Sequence, residues 1–155
     1  MLRAMSRPGS LRWVIRLLLI GWELPQNIFG LARISLALLL GRVHRVELER
    51  ERIMVELTEG AAVSLGLFVL WTTADNPFIP VGAENRDHEY GHSIQSRWLG
   101  PLYLPIVGIP STARVVYAVC FRRIHGRRWP GYYNGFPEKW ADRLGGVNVS
   151  IRPQP

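Results

Sequence analysis

The sequence predicts an α+β domain, a small antiparallel sheet followed by helices. Three observations carry this. Between Val43 and Leu57, apolar residues alternate with charged ones at the period of a half-buried strand. The run "AAVSLGLFVLWTT" is continuously apolar and rich in β-branched and aromatic residues, which suits a buried strand. Beyond Asn85 come three segments with helical spacing, each closed by a stop signal at Gly100-Pro101, Gly126 or Gly145-Gly146. The chain has 155 residues, enough for one domain with a modest core. With 48% hydrophobic and 20% charged residues, it does not have the composition of a disordered chain.

Taken in order, residues 1–10 are expected to form a disordered basic tail. Residues 11–41 form a long apolar segment interrupted by Arg16, Glu23, Arg33 and the stretch "ELPQN". A clean membrane span needs about 20 apolar residues with few charges. The segment therefore predicts a helix kinked at Pro25 and lying in a membrane interface, a strained span, or a helix packed on the domain. It does not read as a signal peptide, because Arg16 and Glu23 interrupt the apolar region. The predicted organisation is a basic tail and apolar helix over 1–42, then a metal-binding domain over 43–150. Within that domain, 43–57 reads as a β-hairpin or two short strands, 61–72 as one strand and "ADNPFIPVGAEN" as a loop. A helix follows at about 86–99. The stretch "LYLPIVGIPSTA" is apolar but broken by Pro105, Gly108 and Pro110, and predicts a re-entrant or interfacial segment. A further helix starts at Pro110 or Ser111. Pro137 opens a short last helix, and the tail "VNVSIRPQP" is expected to be loose.

The formal net charge is +7, and the only lysine among the nineteen cations is Lys139. The arginines flank apolar stretches: Arg3, Arg7, Arg12 and Arg16 before one, Arg42 and Arg45 after it, and "FRRIHGRR" after another. That placement predicts association with a membrane, taken as a bacterial cytoplasmic membrane, and no nucleic-acid partner. Cys120 is the single cysteine, so a metal would have to be held by histidines and carboxylates.

Those residues occur at a telling spacing in "RDHEYGHSIQ". His88 and His92 lie four apart, so on a helix they share a face and can grip one ion. Glu89 sits about 100° round the helix, able to reach water on that ion without ligating it. This is the pattern H-E-x-x-H of zinc hydrolases. Two neutral nitrogens leave zinc positively charged with open positions, and Glu89 can act as general base and then acid. After His92 the only acidic residues are Glu138 and Asp142, four apart in the predicted last helix.

On HEYGH followed by "EKWAD", the chain resembles the gluzincin metallopeptidases, the thermolysin-like group. Their motif is HExxH, followed on a later helix by ExxxD. The resemblance implies a zincin-like fold and a zinc cofactor held by His88, His92 and Glu138. It also implies that Asp142 orients a ligand histidine, most simply His88, and that a peptide or protein substrate is cut. Zinc enzymes that work inside membranes place an aspartate on a later helix, and by that analogy Asp142 would ligate in place of Glu138. The metzincin variant fails, because Gln95 and Trp98 stand where it needs glycine and histidine.

Other residues keep open readings. Asp87 is a helix cap or a second acid behind the metal. Gly91 lets another backbone approach closely. Tyr90, Tyr132 and Tyr133 are candidate donors to a developing oxyanion. His125 and His44 read as solvated and structural, and Trp98 and Trp140 as core or interface residues. The strand at 61–72 is placed to offer an edge to an extended peptide. The expected function is zinc-dependent peptide-bond hydrolysis. The alternatives are a membrane-bound scaffold with a structural or vestigial metal site, and a zinc hydrolase of lipid amides or esters. The sequence leaves the oligomeric state open.

Overall fold

The computed structural model describes residues 9–152, with no account of the side chains of 9–12. It is α+β, with five helices and a mixed four-stranded sheet among the described residues. Most of the predicted basic tail, residues 1–8, lies outside them, but Gly9 and Ser10 already belong to the first helix.

The apolar N-terminal segment forms two helices, α1 (Gly9–Trp22) and α2 (Leu24–Leu39), which meet at Glu23 with Pro25 in the first turn of α2. Proline belongs there because its missing N–H would have had no partner in a first turn. The helix α2 packs on the domain: Ile34 and Ala37 form the core with Val55, Leu57 and Leu70. Gly30 is required at this contact, since a Cβ would overlap the Phe68 ring and the Leu65 carbonyl oxygen.

Strands β1 (Val43–Glu49) and β2 (Arg52–Leu57) form the expected antiparallel hairpin. Its two-residue turn, Arg50-Glu51, has positive φ at both positions (49° and 62°), the geometry that matches the twist of a tight hairpin. The predicted single strand at 61–72 is two: β3 (Val63–Leu65) and β4 (Phe68–Trp71). Gly66, with φ +62°, turns the chain between them. The sheet order is β1-β2-β4-β3, and β2 pairs with β4 in parallel, so the wholly antiparallel sheet expected from the sequence is incorrect. A hairpin folded inside an apolar run returns β4 alongside β2 in the same direction, which no alternation pattern signals.

The sheet separates two environments. Val55 and Leu57 face α2. The alternate residues Arg52 and Met54 turn the other way, where Arg52 reaches the Ser93 carbonyl of α3 (Asn85–Leu99) at 2.7 Å. Gly100, with φ +52°, ends α3 beneath the Trp22 ring. The proline-broken stretch is less broken than expected. A π-helical turn at Leu104–Gly108 runs into α4 (Ile109–His125), and together they make one 22-residue apolar helix. Pro105 and Pro110 each fall in the first turn of their segment, where a missing N–H does no harm. The last helix is α5 (Glu138–Gly145), capped by Gly146 in the left-handed region. The tail is not loose as far as Arg152: Val149–Ile151 form a short 3-10 turn and Arg152 is held by ion pairs. Residues 153–155 lie outside the described residues.

Candidate metal centre

Two glycines bring α3 and α5 together. A Cβ on Gly91 would overlap the Ala141 carbonyl oxygen, and one on Gly145 would overlap that of Asp87. Backbone therefore meets backbone at both ends of the contact. That approach sets Glu138 and Asp142, one turn apart on α5, against His88 and His92, one turn apart on α3.

All four side chains are buried and converge. Oε2 of Glu138 lies 3.0 Å from Nε2 of His88 and 3.2 Å from Nε2 of His92. The imidazoles meet edge to face, with centroids 4.8 Å apart. Their other nitrogens are committed. Nδ1 of His88 donates to Asp142 at 2.7 Å, and Nδ1 of His92 donates to the Gln95 amide oxygen at 2.7 Å. Gln95 is oriented in turn by donating its amide to the Pro137 carbonyl at 3.2 Å. With Nδ1 protonated on both rings, two Nε2 lone pairs and a carboxylate oxygen point at one place.

Three electron-rich atoms converging in a buried site need a cation or protons between them. A tetrahedral ion with bonds of about 2.0–2.1 Å sets its donors about 3.3 Å apart; the two separations from Glu138 are close to that, and the three donor atoms together lie within 4.8 Å of one another. His88, His92 and Glu138 thus form a group able to hold a metal ion. Oε1 of Glu138 and Oε2 of Glu89 are buried without hydrogen-bond partners, which leaves two acceptors for an ion or for water. Metal-free, the cluster would have to hold protons. Burial pulls the His88 pKa down, but hydrogen bonds to Asp142 and Glu138 and the charge of Glu89 push it up to about 10. Burial raises Glu138, yet the two histidines lower it further, leaving it well below the usual carboxylate range. Burial dominates at Glu89, whose pKa is raised against the opposing pull of His92 and His88.

Arg152, unremarked in the sequence, backs this cluster. Its guanidinium donates to both oxygens of Asp142, at 2.8 and 3.0 Å, and to Glu84 at 3.3 Å. It also lies 3.4 Å over the Tyr133 ring, which stands edge-on to His88 with centroids 5.1 Å apart. Burial raises Asp142, but His88 and Arg152 outweigh it and hold its carboxyl low. Gln95 was visible only as the residue that spoils the metzincin pattern. Its position three after His92 puts it on the same helical face, a signal that could have found it.

The remaining candidates separate cleanly. A cavity of about 840 Å³ opens at the cluster of His88, His92 and Glu138, with Glu89, Tyr103 and Tyr132 in its wall. Tyr133 donates to the Pro80 carbonyl at 2.9 Å, and Tyr90 lies under the Arg50 guanidinium; neither lines the cavity. Asp87 is not a cap, because α3 begins two residues earlier and Asp87 lies 3.9 Å from Arg50. His44 is exposed on β1 and His125 is exposed at the end of α4. Trp98 is exposed and tilted against Trp140, so it is not a core residue. Comparison of the chain with protein-family models, with curated proteins and with solved structures finds no match.

Proposed function

We propose that the chain is a zinc-dependent metallohydrolase that cuts peptide bonds at a membrane surface. The observation that carries this reading is the meeting of His88, His92 and Glu138 from two helices, with Glu89 in the wall of the adjoining cavity. Two imidazole nitrogens and one carboxylate are donors that suit zinc and leave it an open position. When bound, zinc supplies a Lewis acid that acidifies water and polarises a carbonyl.

The chain's own residues have distinct tasks. Glu89 takes a proton from the attacking water and returns it to the leaving amine, and its raised pKa suits a group that must do both. Asp142 and Gln95 accept from Nδ1 of the two histidines, which would leave each Nε2 free to hold the metal. Tyr132 is the member of the tyrosine trio that reaches the cavity and can donate to the oxyanion. The polypeptide substrate is favoured by the sheet: β3 is an edge strand, and although its Ser64 carbonyl accepts from Tyr103 at 2.9 Å, residues 61–65 line the cavity where an extended chain can lie.

The test uses two variants and two readouts. Glu89→Gln is expected to keep about one equivalent of zinc and lose peptide hydrolysis by at least about a thousandfold, whereas His88→Ala loses both. Purified protein that takes up no zinc sinks the reading.

A further inference from the structure

The walls of the cavity point to a more specific substrate, and this step rests on the hydrolase reading above. Apart from the metal cluster, Glu89 and a few hydroxyls, the lining is apolar: Phe29 from α2, Val63 and Leu65 from β3, and Leu104, Ile109 and Val116 from the 104–125 helix. Three of these are also surface residues. Phe29 is 58% exposed, Ile109 67% and Val116 56%. The rim of the cavity is thus continuous with the bare apolar faces of α2 and α4. Such faces in water would be a large unpartnered patch.

Length and charge indicate a bilayer as the cover. The helix of 22 residues from Leu104 to His125 is about 33 Å long, close to the thickness of a hydrocarbon core. Only 11% of its most apolar window is buried within the protein. No aspartate or glutamate occurs between Glu89 and Glu138, while Arg122, Arg123 and Arg127 gather at the end of α4, as expected beside anionic headgroups; the neighbouring Arg128 is paired with Asp75. A protein partner would not require that length or that arginine collar.

We infer that the substrate is an apolar stretch of membrane-held polypeptide, entering sideways between α2 and α4 and lying extended along the β3 edge. A lipid amide would use the apolar walls but has no need of a strand edge. A soluble peptide would have to cross the apolar rim.

The experiment places zinc-loaded full-length protein in vesicles of phosphatidylethanolamine and phosphatidylglycerol. The probes are a Leu/Ala-rich peptide of spanning length with lysine ends and a central Gly-Gly, held in the same vesicles, and casein added outside. The expected result is cleavage of the embedded peptide about tenfold or more faster than casein. Phe29→Glu and Ile109→Glu, both at exposed rim positions, are expected to lower that cleavage about tenfold or more with zinc content unchanged. Casein cut equally fast, rim variants without effect, or hydrolysis of an N-acyl lipid probe instead of the peptide would each overturn the inference while leaving a zinc hydrolase. Zinc-loaded protein that turns over none of the three probes overturns the hydrolase reading as well.

Discussion

The contact between α3 and α5 and the outer faces of α2 and α4 invert the usual rule in opposite senses. Between α3 and α5, histidines, carboxylates and glutamine are buried where a small domain ordinarily places leucine and valine. On α2 and α4, leucine, isoleucine and phenylalanine are exposed where glutamate and lysine are ordinary. Burying polar groups costs stability unless every one is paired, and baring apolar ones costs solubility. The contrast teaches that this domain keeps a small apolar core of Ile34, Ala37, Val55, Leu57 and Leu70, buries a polar cluster between α3 and α5, and leaves many apolar side chains at its surface.

The comparison breaks most violently at its polar half. Arg52, 2% exposed, donates to both oxygens of Glu23, itself fully buried, at 2.8 and 3.2 Å. Arg52→Met removes the countercharge paired with that carboxylate, leaving it the Ser96 hydroxyl, and is expected to cost about 3–5 kcal/mol in chemical denaturation, whereas Arg52→Met with Glu23→Leu should recover most of the loss. Gly91→Val comes next: its side chain forces α5 off α3, with an expected loss of about 3 kcal/mol and of zinc uptake together. Val116→Ser, on the bare face of α4, should move stability by less than about 0.5 kcal/mol.

Two finer tests separate the metal from its support. His88, raised to about 10 when metal-free, is protonated at neutral pH, and zinc must displace that proton. The sign follows directly: apparent zinc affinity rises with pH, by about tenfold per unit between roughly pH 7 and 9, and flattens as pH passes the His88 value. Chelator competition across that range measures the slope, and a flat profile would show that His88 carries no proton in the free site. The second of these tests is at Arg152. Arg152→Gln leaves Asp142 with one partner fewer and should weaken zinc about tenfold, with partial recovery in Arg152→Lys. Equal affinity in all three proteins would reduce Arg152 to a surface clasp.

Much of the site was legible because helical spacing is a local property. Residues four apart share a face whatever the tertiary structure, so His88 with His92, and Glu138 with Asp142, could be read as two half-sites. That the halves meet depends on Gly91 and Gly145, of which only Gly91 was singled out for close approach. The tyrosines could not be ranked from sequence, since which phenol faces the cavity depends on the position of α4. The hairpin over 43–57 was legible through alternation, but the β3–β4 turn was hidden because Leu65, Gly66 and Leu67 sit inside a uniformly apolar run. Arg152 and Arg52 left no pattern either. Their partners lie at separations from ten residues (Arg152 to Asp142) to sixty-eight (Arg152 to Glu84), outside any helical or strand period, and a lone arginine in a chain so rich in them carries no signal.

Glu23 has one more consequence. It marks the elbow where α1 gives way to α2, yet it accepts hydrogen bonds from Arg52 and from the Ser96 hydroxyl at 2.8 Å, while Arg52 also holds the Ser93 carbonyl. Ser93 directly follows His92, and Ser96 is one turn beyond it. The elbow and the histidine-bearing helix thereby share one buried ion pair. A change in the angle between α1 and α2 would reach the two imidazoles through it, so the N-terminal helices and the histidine pair are expected to shift as a unit.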